Sequence, residues 1–123
     1  MSLDAIGIVC DDLKKSIDFY TKLGLKFEKS SADHFEGVTL SGVRIMLDSV
    51  ELIQKLYPNW KRASGGSPLV LCFKQDSKPN VDEVFEALRS IGAKELKEPW
   101  DAFWGQRYAS LLDPDNNQID IFC

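Results

Sequence analysis

Four charged side chains stand in or beside strand-like segments late in each half of the chain: Arg44 and Asp48 in "VRIMLDS", and Arg107 and Asp120 in "RYASLLDPDNNQIDIFC". A carboxylate placed like Asp120 can help hold a divalent cation, accept hydrogen bonds from a bound ligand, or simply face water. A metal site needs about three protein donors. The single histidine, His34 in "SADHFEG", sits apart in sequence from the other candidates and reads as a surface or structural residue. Cys10, Cys72 and Cys123 form no CxxC pair, and their spacing carries no zinc signal. Cys10 and Cys72 lie inside apolar runs and are expected as small buried residues. No serine, cysteine or lysine stands in a nucleophile motif. The "SGGS" stretch lacks the lysine and the strand–loop–helix setting of a phosphate loop.

Aromatic residues offer a different chemistry. Trp60, Trp100, Phe103 and Trp104 fall in loops or at strand edges rather than at core spacing, and Tyr57 with Trp60 stands where the chain leaves regular structure. Indole faces bind planar heterocycles and cations, at about 0.5–2 kcal/mol per contact once desolvated. Trp100 and Trp104 can equally cap sheet edges or line a dimer seam.

The elements that must position these groups come in two similar sets. "LDAIGIVC" reads as a strand, and "DDLKKSIDFYTKLGL" as a helix capped by Asp11 or Asp12 and ended by Gly24. Its apolar side is Leu13, Ile17 and Tyr20, with Ser16. "KFEKSS", "HFEGVTLS" and "VRIMLDS" follow as strands, the last two joined by a turn at Ser41-Gly42. The second half repeats this order with "PLVLCFK", a helix in "PNVDEVFEALRSIGA", then "KELKEP", "RYASLLD" and "QIDIFC". Asn80 as N-cap with Glu83 at N3 predicts a reciprocal cap for that helix, whose apolar side is Val81, Val84, Phe85 and Leu88, and Gly92 ends it. Aligning "LGLKF" with "IGAKE" gives an offset of 68, against about 65 for the opening strands.

The expected organisation is therefore α+β: two βαβββ modules forming a cupped mixed sheet. Module 1 spans 1–48, a linker with a short helix capped by Ser49 and stopped by Pro58 spans 49–66, and module 2 spans 67–123. At 123 residues, 44% apolar and 28% charged, the chain has an ordinary globular balance. A net charge of -4 with scattered Lys and Arg argues against nucleic acid and for neutral or cationic small molecules, or serves solubility alone. No export signal is visible and no run approaches the roughly 20 apolar residues that cross a bilayer, so a cytoplasmic location is the expectation.

"IGIVCDDLKKSIDFYTKLGLKF" resembles the opening strand–helix of the glyoxalase / bleomycin-resistance / extradiol-dioxygenase (vicinal oxygen chelate) superfamily, and "DPDNNQIDIF" resembles its closing turn and strand. The resemblance covers the whole chain. It implies the fold, while leaving open lyase, isomerase, dioxygenase, thiol-transferase and drug-binding activities. The family's metal-ligand positions, usually His or Glu, match Ala5, then Leu69 or Val70, then Met46, and finally Asp120. With three of the four unsuited to hold a divalent ion, no metal and no cofactor are expected. "WGQRYASLLDPDNN" is similar to the WG-x-R and DPDGN combination of the antibiotic-binding branch, with Asn116 where that branch has glycine.

The resemblance, together with the aromatics, implies a non-catalytic binder of a bulky, partly planar small molecule, cationic if acidity steers it. Its binding residues are expected among Arg44, Met46, Tyr57, Trp60, Trp100, Phe103, Trp104, Arg107 and Asp120, in a homodimer. Two rivals stand beside it. One is a glyoxalase-like lyase or isomerase with a shifted metal site using Asp120, His34 or Asp48. The other is a dimeric partner module without a ligand.

Overall fold

A computed structural model describes all residues 1–123 and divides the chain into two compact units, Met1–Ser64 and Gly65–Cys123. The first carries β1 (Ala5–Cys10), α1 (Leu13–Lys22), β2 (Phe27–Ser31), β3 (His34–Val38), β4 (Arg44–Ser49) and α2 (Val50–Leu56). The second carries β5 (Val70–Lys74), α3 (Lys78–Ser90), β6 (Lys94–Asp101), β7 (Arg107–Leu112) and β8 (Gln118–Phe122). Each unit forms a four-stranded sheet, ordered β1-β4-β3-β2 in one and β5-β8-β7-β6 in the other. In both, the opening strand pairs in parallel with the last, and the remaining pairs are antiparallel. These are the two βαβββ modules that the internal repeat predicts.

Strand alternation decides which side of each sheet is buried. Ile45 and Leu47 of β4, with Ile8 and Cys10 of β1, are buried on one face, as are Phe19 and Tyr20 of α1. In the second unit Ala109, Leu111, Ile119 and Ile121 are buried on the face that packs on α3, whose buried residues are Val81, Phe85 and Leu88. Each fully buried Val, Leu, Ile or Phe among them contributes about 1.5–3 kcal/mol. The apolar side of α1 differs from the predicted one. Phe19 is buried, whereas Leu13 and Ile17 are only half-buried, so the stripe is centred on Ser16, Phe19 and Tyr20.

Helix caps decide where the sheets' crossovers begin. Asp12 caps α1 by accepting from the Lys15 amide at 3.1 Å. The cap predicted at Asn80 is corrected: α3 begins earlier, with Ser77 as N-cap accepting from the Asn80 amide. Lys78 and Pro79 fill the first turn, where proline's missing N–H costs nothing. Asn80 instead receives the Ser77 hydroxyl on its Oδ1 at 2.8 Å. Ser49 caps α2 by accepting from Leu52 N. Cys72 is a second correction: it is exposed, because its position in β5 points away from the α3 side.

The turn between β7 and β8 holds Asp120 in place and is built around Asp113. Its carboxylate accepts from the amides of Asp115 and Asn117 and from the Asn117 side chain, at 2.8–2.9 Å. Asn116 takes φ 66°, the left-handed region where β-carbon crowding penalises most residues. Asn116→Ala is expected to cost about 1 kcal/mol in urea denaturation, while Asn116→Gly leaves stability unchanged or slightly raised. Equal stability of the Ala variant would show that the turn relaxes out of this conformation.

Candidate functional site

The face of the second sheet that points away from α3 is organised in rows by strand register. One row runs Lys97, Ser110, Asp120, Cys72 across β6, β7, β8 and β5. The next runs Trp100, Tyr108, Phe122, Lys74. Tyr108 and Phe122 stack with centroids 5.2 Å apart and planes 16° from parallel. Trp104, from the turn after β6, meets Tyr108 edge-on at 5.6 Å and Trp100 at 5.5 Å, and Phe103 packs on Trp104 at 4.9 Å. The Trp104 indole is oriented by a 2.7 Å hydrogen bond to Gln106 Oε1. The result is a continuous aromatic surface, with Phe103 95% and Trp104 49% exposed at its end.

Asp120 stands beside this surface. Its Oδ1 accepts from Ser110 Oγ at 2.7 Å and from Gln118 Nε2 at 3.1 Å, so the partly buried carboxylate is hydrogen-bonded by neutral donors. Cys72 faces Asp120 in the ladder, and its thiol is pushed up first by lost hydration and then by that carboxylate, which keeps it from acting as a ready thiolate. Tyr108 is likewise pushed up, by burial first and then by Cys72 and Asp120.

The matching face of the first sheet is ionic. Arg44 holds Asp4 and binds both oxygens of Glu36 at 3.1 Å. His34 bridges Glu36, through Nε2 at 2.9 Å, and Asp48, through Nδ1 at 2.5 Å. A neutral imidazole donates from one nitrogen only, so two carboxylate partners favour the doubly protonated ring. The hydrogen bond to Glu36, then that to Asp48, raises the pKa of His34 above 6.5. The hydrogen bond from His34, then those from Arg44, lowers that of Glu36 below 4.5.

The predicted site residues are thus distributed. Trp100, Phe103, Trp104 and Asp120 come together on the second unit's sheet. Arg107 belongs to the opposite face of that sheet, where it pairs with Asp82 of α3 at 2.7 Å and with Asp101 at 3.3 Å. Arg44 and Met46 lie on the first unit's ionic face, Met46 opposite Gly7. Tyr57 is the exposed C-cap of α2, and Trp60 lies beyond it with the Arg62 guanidinium 5.7 Å from its ring centroid. Tyr108, Phe122 and Lys97 were not among the candidates. Alternation with Asp120 across "QIDIF" was the available signal for Phe122, and only cross-strand pairing identifies the other two.

Of the family's metal-ligand positions, the second resolves to Val70, which lies opposite Gln118 as Ala5 lies opposite Arg44. Asp48 and His34 bind each other in the first unit, and Asp120 belongs to the second. No three His, Cys, Asp or Glu side chains converge on a point where a metal ion could be held. A donor set of Ala, Val, Met and one Asp does not fit a divalent ion.

A family model described as the Glyoxalase/Bleomycin resistance protein/Dioxygenase superfamily matches residues 2–121, and the chain belongs to that superfamily. Among its relatives is the uncharacterized protein YraH of Bacillus subtilis (strain 168), 30% identical over 99% of this chain and 98% of its own length. A bleomycin resistance protein of Geobacillus stearothermophilus is 29% identical, over 90% of this chain and 88% of its own. Among solved structures, a glyoxalase/bleomycin resistance protein/dioxygenase family enzyme of Burkholderia phytofirmans PsJN superposes with a TM-score of 0.83 at 24% identity. It covers 97% of this chain and 95% of its own, a likeness of fold.

The ionic face makes stability depend on pH in both directions. His34, with its pKa raised on folding, contributes fully below 6.5 and loses that contribution as pH rises through its folded value. Glu36, with its pKa lowered, contributes fully above 4.5 and loses it as pH falls. Denaturation midpoints are therefore expected to be highest between those values and to fall on either side, with His34→Gln flattening the alkaline limb. A His34 NMR titration at or below 6.5 would contradict this network.

Proposed function

We propose that this protein is a non-catalytic binder of bulky, partly planar, cationic small molecules, of which bleomycin-type antibiotics are the nearest example. The observation that carries this is the continuous surface of Trp100, Trp104, Tyr108 and Phe122 beside the neutral-donor-bonded carboxylate of Asp120. Flat rings stack on such a surface, and a ligand cation finds beside it the Asp120 carboxylate, bonded by the neutral side chains of Ser110 and Gln118. The net charge of -4 favours the approach of cations. Relatives named as bleomycin resistance proteins support the same direction.

The lyase or isomerase alternative with a shifted metal site has less to stand on, because His34 and Asp48 bind each other in the first unit, Asp120 belongs to the second, and no three His, Cys, Asp or Glu side chains gather to hold an ion. The proposal is of a cytoplasmic homodimer. No helix is long and apolar enough to cross a membrane.

Metal-free bleomycin titrated into chelator-stripped protein, followed by tryptophan fluorescence, is the test. Saturable binding without any added divalent ion is expected. Trp104→Ala should weaken it about three- to ten-fold and Asp120→Asn about ten-fold. Failure of the metal-free drug to bind saturably would overturn the proposal, and uptake of a divalent ion by the protein alone would point to the enzyme reading.

A further inference from the structure

We propose that Lys97 sets the charge preference of the aromatic surface by occupying the Trp100 ring itself; this rests on the binding role proposed above. The ammonium of Lys97 lies 3.6 Å from the centroid of the Trp100 ring, the position a ligand cation would take there. Its presence is not an accident of neighbouring positions on a strand. Lys97 and Trp100 are three residues apart, and a regular strand sends residues at that separation to opposite faces. Register shifts on either side of Lys97 change this. Lys97 pairs with Ser110 and Trp100 with Tyr108, and those partners, two apart on β7, share a face. The irregularity in edge strand β6 thus re-aims a lysine onto the aromatic surface.

A tethered ammonium is present at high effective concentration, so a ligand cation reaches Trp100 only by displacing it, and then leaves two positive charges near one ring. The ligand's planar part is left the Trp104, Tyr108 and Phe122 portion of the surface. Its cation is directed to Asp120, two strands over in the row of Lys97. Lys97 is therefore a specificity residue. It discriminates against added positive charge at the β6 edge more strongly than against neutral planar ligands, which meet its bulk but not its charge.

The test uses two probes of one shape, N-methylacridinium and acridine, at about pH 8, where acridine is neutral and lysine remains protonated. Binding is measured for the parent protein, Lys97→Met, Lys97→Gln and Lys97→Arg, each checked for folding by circular dichroism. Lys97→Met should bind N-methylacridinium about two- to five-fold more tightly, the span of an exposed cation–ring contact, with a clearly smaller change for acridine. Lys97→Gln repeats the loss of charge with a shorter chain, and Lys97→Arg should behave as the parent. An unchanged or weakened response to the cation, or an equal gain for both probes, overturns the role of Lys97 while leaving the surface as a binding site. Failure of the parent protein to bind either probe overturns the binding reading and this inference together.

Discussion

Burial of Ile119 and Ile121 against α3 governs the chemistry of the second unit. A strand that puts those two side chains into the core must turn Gln118, Asp120 and Phe122 to the other face. β8 lies between β5 and β7, so its register also aligns Cys72, Ser110 and Tyr108 with them. The carboxylate, its two neutral donors and the stacked Tyr108–Phe122 pair are consequences of one packing constraint. A shift by a single residue would bury Asp120 and expose the isoleucines, at a cost the whole core opposes.

The two modules share a strand order and differ in what the face away from the first helix carries. In the first, Asp4, Arg44, Glu36, His34 and Asp48 alternate in sign and satisfy one another, leaving little charge for a ligand. In the second, stacked aromatic rings stand beside a carboxylate held by uncharged donors. Duplication of a fold does not require duplication of a site. Where enzymes of the superfamily need His or Glu, Ala5, Val70 and Met46 supply no hard donor.

Strand and helix order and the repeat were legible in the sequence, because alternation and helical spacing report burial directly. The start of α3 was misplaced because Asn80 and Glu83 form a cap pattern as persuasive as the one Ser77 makes with Asn80. Phe19 was missed by centring the α1 stripe one turn position away, and Cys72 by treating an apolar run as buried on both sides. His34 looked isolated because its partners, Glu36 and Asp48, meet it only through strand packing. Lys97 was the least accessible residue. Counting along a strand sends it away from Trp100, and the irregularity that reverses this is a property of the β6–β7 pairing.

The central claim is that ligand recognition belongs to the second unit's aromatic face. The chain's three tryptophans provide a direct reading, since Trp60 lies in the first unit and Trp100 and Trp104 in the second. Indole N–H resonances of labelled protein, followed during addition of a planar cationic ligand, should move most for Trp104 and stay fixed for Trp60. A shift confined to Trp60, with both second-unit indoles unmoved at saturation, would contradict the account.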